Sequence, residues 1–355
     1  MMIDNNKVRE LLISSQKTIG DALKQMDQIK RKLLIVIEND KFKGLLSIGD
    51  IQRAIIKGID LSESISSIMR SIISIAREND SIEELKKQML ASMTEYMPII
   101  SDNNEIIRVL FWDDLFDGGH KIEKRKINLP VLLMAGGIGS RLRPLTNVFP
   151  KALIPIGEKT ILEQIIDSFL EYQCENFYIS VNYKSDMIKY YLNSLNNRNY
   201  NIHFIEEKEF LGTAGSIKLA SQYIESTFFV SNCDILIDDD YANILDFHKE
   251  SKNEITIVAA IMQSSIPYGV LETNNEGQLI DINEKPEYYY KINSGLYILE
   301  PSVFEYIPTN ELFHITDLIR LLMEHKRRVG VFPVSKESWT DMGNWDEFLK
   351  QAKIR

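Results

Sequence analysis

The sequence contains only two cysteines among 355 residues, Cys174 and Cys233. Two cysteines cannot form a disulfide framework, and neither has the spacing of a CxxC or Cys/His motif, so we expect no zinc site. No run of about 18 uncharged apolar residues is present, and the opening MMIDNNKVRE lacks the apolar core of a signal peptide. We therefore expect no membrane span and a cytoplasmic location.

Basic residues are also in the minority. Lysine and arginine number 41 against 51 aspartates and glutamates, which gives a formal net charge of -10. This balance argues against nucleic acid or an anionic membrane as a partner. With 44% hydrophobic and 26% charged residues, the chain has the composition of a globular protein long enough for two domains. Small ligands or protein partners are favoured.

The first 116 residues contain a weak internal repeat. TIGDALKQM (18–26) recurs as SIEELKKQM (81–89), and LIVIENDKFKGLLSIGDI (34–51) recurs as PIISDNNEIIRVLFWDDL (98–115). Each copy has the pattern helix, strand, polar turn, strand, helix. The repeat resembles a pair of CBS modules, at about residues 1–60 and 61–116. The resemblance implies a small α+β domain that often binds adenosyl nucleotides.

In CBS modules that bind a ligand, a serine or threonine and an acid three residues later hold the ribose. The first copy has Gly44, Ser47 and Asp50 in this pattern, whereas the second keeps Asp114 but replaces the glycine with arginine and the serine with phenylalanine. Ser47 and Asp50 are therefore the candidate ligand residues, for an adenine nucleotide or a pathway product. The alternative is that Ser47 only caps the following helix, in a CBS pair that mediates dimer contacts alone.

Glycine, basic residues and proline in DGGHKIEKRKINLP (117–130) predict a linker over residues 117–129. From Val131 onward, short apolar strands alternate with helical stretches. This alternation predicts an α/β domain over residues 130–355, with a mostly parallel mixed sheet covered by helices. Ligands of such sheets bind at the carboxyl ends of the strands.

LLMAGGIGSRLRPLTNVFPKALIPIG (132–157) begins in the first of these strands. It is not a dinucleotide fingerprint, because Leu142 stands at the third glycine position, and no GK[ST] closes a Walker A loop. It resembles the signature of nucleoside-diphosphate-sugar pyrophosphorylases, or sugar-1-phosphate nucleotidylyltransferases, AGGxGxRLxPLTxxxPKxLxP. Every fixed position is filled, from Ala135 to Pro155. The resemblance covers the last two thirds of the chain and implies a Rossmann-like nucleotidyltransferase domain.

The glycines allow backbone N–H groups to surround a triphosphate, where a side chain would obstruct it. Arg141 offers planar bidentate donors to phosphate oxygens, and Lys151 offers a point charge to the α-phosphate in the transition state. These two are the candidate catalytic residues. The candidate nucleotide-binding residues of the loop are Ala135, Gly136, Gly137 and Gly139.

Two aspartates are candidate metal ligands. Asp234 follows a strand in NCDIL, and Asp341 lies in WTDMGNWDEF. An aspartate after a strand usually caps a helix, but the resemblance implies that these two hold Mg²⁺. Two carboxylates with phosphate oxygens and waters satisfy this hard cation. Cys233 stands where the family often has glycine.

Four further residues match sugar-phosphate contacts. The resemblance implies that the glycine of YGVLE and the glutamate of NEKP hold sugar hydroxyls. It also implies that the lysine of NEKP binds the sugar phosphate and that the asparagine of INSGLYIL contacts the sugar ring. These residues are Gly269, Glu284, Lys285 and Asn293.

EEKEFLGTAGSI (206–217) lies where the family reads the base. Gly212 and Thr213 are expected at the nucleoside, and Glu207 at the base edge. A carboxylate accepts hydrogen bonds from N1 and N2 of guanine and repels the acceptor edges of uracil and thymine, so GTP is favoured. For Glu207 the alternative is an acidic, solvated loop.

The predicted reaction is an Mg²⁺-dependent, in-line attack of a sugar 1-phosphate on the α-phosphorus of the triphosphate, with release of pyrophosphate and no covalent nucleophile. A CBS pair before a guanylyltransferase resembles enzymes that make GDP-glucosamine for legionaminic acid, a bacterial nonulosonic sugar. Two alternatives stay open. One is another donor (UTP, CTP or dTTP) or sugar (mannose, heptose or N-acetylmuramate phosphate), and the other is an inert nucleotide-sensing protein. CBS pairs commonly associate, so we expect a homodimer or larger oligomer.

Overall fold

The structure is a computed structural model that describes residues 6–69, 75–77, 80–92, 96–111, 124–195 and 199–353. The chain divides into two compact units, Met1–Glu123 and Lys124–Arg355. Asp114 and residues 117–123 of the expected linker lie outside the described residues.

The first unit contains two three-stranded sheets of the same topology. In each sheet the first strand is parallel to the second, and the second is antiparallel to the third. The strands are β1 (Leu12–Ser14), β2 (Leu33–Glu38) and β3 (Lys41–Ser47), then β4 (Ala76–Arg77), β5 (Tyr96–Ile100) and β6 (Ile106–Phe111). The helices are α1 (Asn6–Arg9), α2 (Ile19–Ile29), α3 (Ile48–Ile56) and α4 (Ile82–Ser92), with a 3-10 turn at Ile65–Ser67.

One apolar cluster joins the two small sheets. Ile35 and Phe42 of the first sheet belong to the same buried cluster as Tyr96 and Phe111 of the second. Packing the two sheets together gives them a shared core. The first unit is therefore a small α+β domain, as expected.

The second unit is built on a seven-stranded mixed sheet. Six strands run in one direction, and only β17 is antiparallel to its neighbours. In spatial order the strands are β11 (Asn201–Glu206), β10 (Asn176–Val181), β7 (Val131–Met134), β12 (Phe228–Asn232), β17 (Glu287–Leu299), β14 (Ile255–Ser265) and β18 (Val329–Ser335). The prediction of an α/β fold with a mostly parallel mixed sheet is confirmed.

Helices and three short ribbons complete this unit. The helices are α5 (Leu145–Val148), α6 (Ile161–Leu170), α7 (Ser185–Ser194), α8 (Gly212–Leu219), α9 (Tyr241–Glu250), α10 (Ile315–Glu324) and α11 (Trp345–Lys353). The 3-10 segments are Ser140–Leu142, Lys151–Leu153, Ala220–Gln222 and Pro301–Tyr306. The ribbons pair β8 (Pro155–Ile156) with β9 (Lys159–Thr160), β13 (Ile235–Ile237) with β19 (Trp339–Asp341), and β15 (Gly269–Thr273) with β16 (Leu279–Glu284). None of the helices in the described ranges is long and apolar enough to cross a membrane.

Both faces of the large sheet are buried. Along β7, Val131 and Leu133 belong to one apolar cluster and Leu132 to a second cluster on the opposite face. Because successive side chains of a strand point to opposite faces, a strand buried on both sides has a continuous apolar sequence. The apolar run in this part of the sequence follows from that burial.

The parallel strands place four chain segments at one edge of the sheet. β7, β10, β11 and β12 pair side by side in the same direction, so their carboxyl ends lie together. The residues that follow these strands are Ala135, Asn182, Glu207 and Cys233. The fold therefore brings the glycine loop to the same edge as Glu207 and Asp234.

Candidate active site

The glycine loop joins β7 to the 3-10 turn at Ser140–Leu142. Gly139 has φ of +68°, and a Cβ there would lie 2.9 Å from Thr146 Cγ2. A Cβ on Gly136 would lie 2.8 Å from Glu207 Oε1, whereas one on Gly137 would have no atom within 4 Å. Packing within the protein thus explains two of the three glycines. Only Gly137 has its open side toward space that a ligand could use.

Four charged side chains meet beside this loop and form what we call the ionic cluster: Arg141, Lys151, Asp234 and Asp341. Lys151 Nζ pairs with Asp234 Oδ2. Arg141 Nη2 lies 3.2 Å from Asp234 Oδ2, and its Nη1 lies 2.9 Å from Asp341 Oδ2. The side chains of Lys151 and Asp234 are 11% and 10% exposed, whereas that of Arg141 is 61% exposed. Two positive and two negative charges therefore balance at a partly open site.

The β13–β19 ribbon brings the two aspartates together although they are distant in the chain. Ile235 pairs with Asp341 across the ribbon, and the backbone N–H of Met342 donates to the carbonyl of Asp234 at 2.7 Å. The N–H of Gly343 donates to Asp341 Oδ1 at 2.8 Å. Backbone pairing therefore fixes both carboxylates without a metal-binding loop.

Gly343 is a site residue that sequence reasoning did not select. A Cβ at this position would lie 2.7 Å from Asp234 Oδ2 and 2.8 Å from Arg141 Nη2. A residue with a side chain at this position would require charged side chains of the cluster to shift. The signal in the sequence was the glycine of the W-x-D-x-G turn, two residues after Asp341.

Cys233 is the one thiol next to the cluster among the described residues. Burial, aided by the charge of Asp234, raises the pKa of the Cys233 thiol to about 12. The thiol stays protonated near neutral pH, and only the thiolate is an effective nucleophile. The site therefore offers no cysteine nucleophile.

The donor set of the cluster fits a hard divalent cation. Within the described part of the chain, no group of three or more His, Cys, Asp or Glu residues is placed to hold a metal. Asp234 and Asp341 supply carboxylate oxygens only, which suit Mg²⁺ and are a poor set for zinc. Such an ion would need phosphate oxygens or waters to complete its coordination.

Glu207 is buried, with only 7% of its surface exposed. Its backbone N–H donates to the carbonyl of Val181 at 3.0 Å, and Asn182 Nδ2 donates to its carbonyl at 2.8 Å. Ser180 Oγ donates to Glu207 Oε1 at 2.5 Å. Glu207 is therefore not part of a solvated acidic loop but a fixed carboxylate beside Gly136.

Gly212 and Thr213 begin α8 and contact the segment before α10. Gly212 has φ of +72°, and a Cβ there would lie 2.7 Å from the carbonyl oxygen of Phe313. Thr213 Oγ1 accepts a hydrogen bond from the backbone N–H of Ile315 at 2.8 Å. Both residues have a role in packing, and their expected contact with a nucleoside stays a prediction.

Three of the candidate sugar-phosphate residues lie in the β15–β16 hairpin or directly after it. Gly269 pairs with Glu284 across the hairpin, and a Cβ on this glycine would lie 2.8 Å from Glu284 Oε2. Lys285 has φ of +50°, and its N–H donates to the carbonyl of Tyr268 at 3.3 Å. The structure brings these three residues together, but it shows no hydrogen bond or ion pair from them to the ionic cluster among the described residues.

Asn293 lies in β17, near the carboxyl end of β12. Its Oδ1 accepts from the N–H of Gly295 at 3.1 Å. Gly295 has φ of +90°, and a Cβ there would lie 2.5 Å from Asn232 Nδ2. Asn232 precedes Cys233 and Asp234, so Asn293 is placed toward the edge of the sheet that carries the ionic cluster.

Ser47 and Asp50 form a capping box at the start of α3 in the first unit. Ser47 Oγ donates to Asp50 Oδ2 at 2.6 Å, the N–H of Asp50 donates to Ser47 Oγ at 3.3 Å, and Arg53 pairs with Asp50. Helix capping accounts for this geometry. A ligand at these residues stays a prediction.

Comparison with protein families agrees with this arrangement. The family described as nucleotidyl transferase matches residues 130–354, and the CBS domain family matches residues 8–57. The chain therefore belongs to the nucleotidyl transferase family. In this chain the match to the CBS domain family precedes the match to the nucleotidyl transferase family.

The curated relatives match the chain over part of their length. A mannose-1-phosphate guanyltransferase of Yarrowia lipolytica is 36% identical over 183 residues, 50% of this chain and 50% of the relative. The bifunctional protein GlmU of Methanococcus aeolicus is 32% identical over 226 residues, 61% of this chain and 52% of the relative. The chain thus spans about half the length of the curated relatives it matches.

A solved structure matches the transferase domain. HddC from Yersinia pseudotuberculosis is 28% identical with a TM-score of 0.51, over 63% of this chain and 98% of that one. HddC complexed with GMP-PN matches with 27% identity and a TM-score of 0.51, over the same shares of the two chains. The fold of the second unit is therefore that of a nucleotidyltransferase.

Proposed function

We propose that this protein transfers a nucleotidyl group from a nucleoside triphosphate to a sugar 1-phosphate. The observation that carries this proposal is the ionic cluster. Two cations able to bind phosphate and two carboxylates able to bind a divalent ion meet beside the glycine loop, at the carboxyl edge of the sheet. Polyphosphate binding at backbone N–H groups and transfer by charge neutralisation need these components.

Each residue of the cluster has a proposed role. Arg141 holds phosphate oxygens by two parallel donors, and the more buried Lys151 stabilises charge on the α-phosphate as the transition state forms. Asp234 and Asp341 would hold Mg²⁺, and the chemistry that this ion would supply is neutralisation of phosphate charge. Both cations contact carboxylates, but guanidinium has five N–H donors and ammonium three, so each has further donors for phosphate oxygens.

The reaction needs alignment more than it needs a reactive side chain. The sugar-phosphate oxygen attacks the α-phosphorus in line, the bond to the pyrophosphate oxygen breaks, and pyrophosphate leaves. No covalent intermediate is required, which agrees with the protonated, buried thiol of Cys233. The glycine loop and the cluster hold the nucleotide while the sugar phosphate approaches.

GTP is the nucleotide that we propose. Glu207 is a fixed carboxylate beside the loop, and a carboxylate accepts from the adjacent N1–H and N2–H donors of guanine. Gly212 and Thr213 would approach the nucleoside. The guanyltransferase relatives and the GMP-PN complex of HddC give independent support.

For the sugar, we propose glucosamine 1-phosphate, giving GDP-glucosamine for legionaminic acid. The support is the CBS domain ahead of a guanylyltransferase-like domain. Mannose 1-phosphate is the second candidate, because the curated relatives bear that name. Gly269, Glu284, Lys285 and Asn293 are the proposed sugar-phosphate contacts.

A pyrophosphate-release assay over a matrix of triphosphates and sugar 1-phosphates tests the proposal. We expect Mg²⁺-dependent release with GTP, and the highest kcat/KM with glucosamine 1-phosphate. A maximum with mannose 1-phosphate would keep the reaction and replace the sugar. If nucleotide binds but no pair of triphosphate and sugar 1-phosphate gives pyrophosphate release, the protein would be a nucleotide sensor and not an enzyme.

Replacing Asp234 with Asn tests the metal assignment. The amide keeps the size of the side chain but removes a charge, so we expect kcat to fall by about 10²-fold or more and binding of a GTP analogue to lose its dependence on Mg²⁺. Asp246→Asn is the control, because Asp246 of α9 pairs with Arg125, which is not a residue of the cluster. Unchanged turnover in Asp234→Asn would refute the assignment.

The CBS domain is proposed to bind an adenine nucleotide or a pathway product through Ser47 and Asp50. Adding AMP or ATP to the same assay would reveal this by a change in rate that is absent in Ser47→Ala. The homodimer and the cytoplasmic location also stay predictions of the sequence.

A further inference from the structure

Ser180 is a fully buried hydroxyl residue at the end of β10, and no sequence motif pointed to it. Its Oγ lies 2.5 Å from Glu207 Oε1 and donates a hydrogen bond to it. The same carboxylate oxygen lies against the glycine loop, since a Cβ on Gly136 would come within 2.8 Å of it. Ser180 therefore contacts Glu207, and Glu207 in turn contacts the glycine loop.

The backbone and the side chain of Glu207 are fixed by different neighbours. Val181 and Asn182 hold its N–H and its carbonyl. Among the described residues, Ser180 donates the one hydrogen bond that the structure shows to the carboxylate of Glu207. Without Ser180, the main chain of Glu207 would stay in place while its carboxylate gained rotational freedom.

We propose that Ser180 is a positioning residue that sets the selectivity for guanine. The inference rests on the proposed function, in which Glu207 accepts from N1–H and N2–H of the base. Each carboxylate oxygen has two lone pairs, so Oε1 can accept from Ser180 and still face a ligand donor. A hydrogen bond to an ionised oxygen is short and strong, and it fixes the orientation of the carboxylate before the base arrives. Selectivity for paired donors depends on that orientation.

A purely structural role makes a different prediction. If Ser180 only satisfies a buried carboxylate, removing its hydroxyl would lower the stability of the protein and would affect all nucleotides alike. If it orients Glu207 toward the base, the loss would fall on those nucleotides that present two adjacent N–H donors. The ratio between two closely related purine nucleotides separates these cases.

GTP and ITP form the required pair, since ITP lacks only the 2-amino group. We would measure kcat/KM for both in wild type, Ser180→Ala and Ser180→Cys, together with equilibrium binding of each nucleotide. Ser231→Ala is the matched control. Ser231 is also buried and lies near the end of β12, which is separated from β10 by β7, and its Oγ donates to the carbonyl of Asn232 at 3.0 Å.

We expect wild type to prefer GTP over ITP, and Ser180→Ala to reduce that preference about tenfold, which is the scale of one hydrogen bond to a charged group. The loss should arise mainly in KM for GTP. Ser180→Cys, which has a weak S–H donor of similar size, should be intermediate, and Ser231→Ala should keep the wild-type ratio. Thermal unfolding of each variant checks that it is folded.

Three results would overturn the inference. An unchanged GTP:ITP ratio in folded Ser180→Ala would leave Ser180 only a structural role, and an equal fall in Ser231→Ala would make the effect general to the sheet. Equal use of GTP and ITP by wild type would remove both the inference and the guanine assignment, while transfer activity itself would stand. Should no transfer occur at all, the binding ratios decide the inference independently of the proposed reaction.

Discussion

Gly343 shows how a residue without a side chain determines the geometry of its charged neighbours. Asp234 Oδ2 and Arg141 Nη2 both approach the space that its Cβ would occupy. Packing, and not a left-handed backbone, explains the glycine, because the φ angle of Gly343 is not positive. The absence of a side chain therefore matters here for steric reasons, while the backbone N–H of Gly343 donates to Asp341 Oδ1.

Gly343→Ala should reduce kcat by about 10²-fold, because a displacement of about 1 Å at reacting groups has effects of that size. We expect little change in the unfolding temperature, since the substitution lies at a partly open site. Steady-state kinetics and thermal unfolding would check this. Gly49→Ala, in the first unit, is the control, because Gly49 has room for the added methyl group. Wild-type turnover in Gly343→Ala would contradict the steric explanation.

The sequence was sufficient to select the four charged residues of the cluster. Arg141 and Lys151 stand at fixed positions of one long motif, and the resemblance that this motif carries led to Asp234 and Asp341. It did not select Ser180 or Gly343. The contacts of Ser180 depend on the pairing of β10 with β11, and those of Gly343 on the pairing of β13 with β19. Such neighbours lie far apart in the chain, and no local pattern records which strands pair.

Between elements, a partly buried polar network joins α9 and β14 to Thr227, just before β12, and Glu300, just after β17. His248 Nε2 lies 3.0 Å from Glu300 Oε1, and its Nδ1 lies 2.8 Å from Thr256 Oγ1. Thr227 Oγ1 donates to the same Glu300 oxygen at 2.8 Å. Burial alone raises the pKa of Glu300, but the hydrogen bonds from His248 and Thr227 outweigh it and hold this pKa below its ordinary value of 4.5.

Glu300→Gln should therefore lower stability in a pH-dependent manner. A carboxyl group whose pKa is lower in the folded state contributes stability above its unfolded pKa, and the contribution is lost as pH falls through the folded pKa. We expect a deficit of about 1 kcal/mol at pH 7 that shrinks below about pH 4.5. Urea unfolding at several pH values would measure it, and a deficit independent of pH would refute the role of the ionised group.

The order and direction of the strands are only partly visible in the sequence. Alternating strands and helices predict the parallel half of the sheet, from β7 to β12, because a crossover helix forces the next strand to run in the same direction. β17 has no such marker. It follows the β15–β16 hairpin and inserts between β12 and β14 in the opposite direction, so its place is set by packing in three dimensions.

At the scale of the whole molecule, every contact of the ionic cluster lies within the second unit. That unit begins with residues 124–129, which were expected to be part of a linker. Arg125 pairs with Asp246 at 2.8 Å and donates to the carbonyl of Ala242, while Ile127 and Leu129 pack against the larger core. This segment is structurally part of the transferase unit.

A chain that starts at Lys124 should fold and keep its transfer activity, because it contains both the cluster and the packed segment. A chain that starts at Val131 should be less stable by about 2 kcal/mol or more, since it loses the two apolar side chains and the Arg125 contacts. Denaturant unfolding and the pyrophosphate assay would compare the two. Equal stability would show that residues 124–129 contribute nothing to the fold.

The pairing of β13 with β19 also has a consequence for biosynthesis. Arg141 and its partner Asp341 are separated by 200 residues, so a ribosome completes the glycine loop long before it adds the second acid. A nascent chain that ends before β19 lacks Asp341, one of the two carboxylates, and also lacks Gly343. Translation must therefore proceed beyond residue 343 before the centre can assemble, and premature termination anywhere upstream should give a product without catalytic activity.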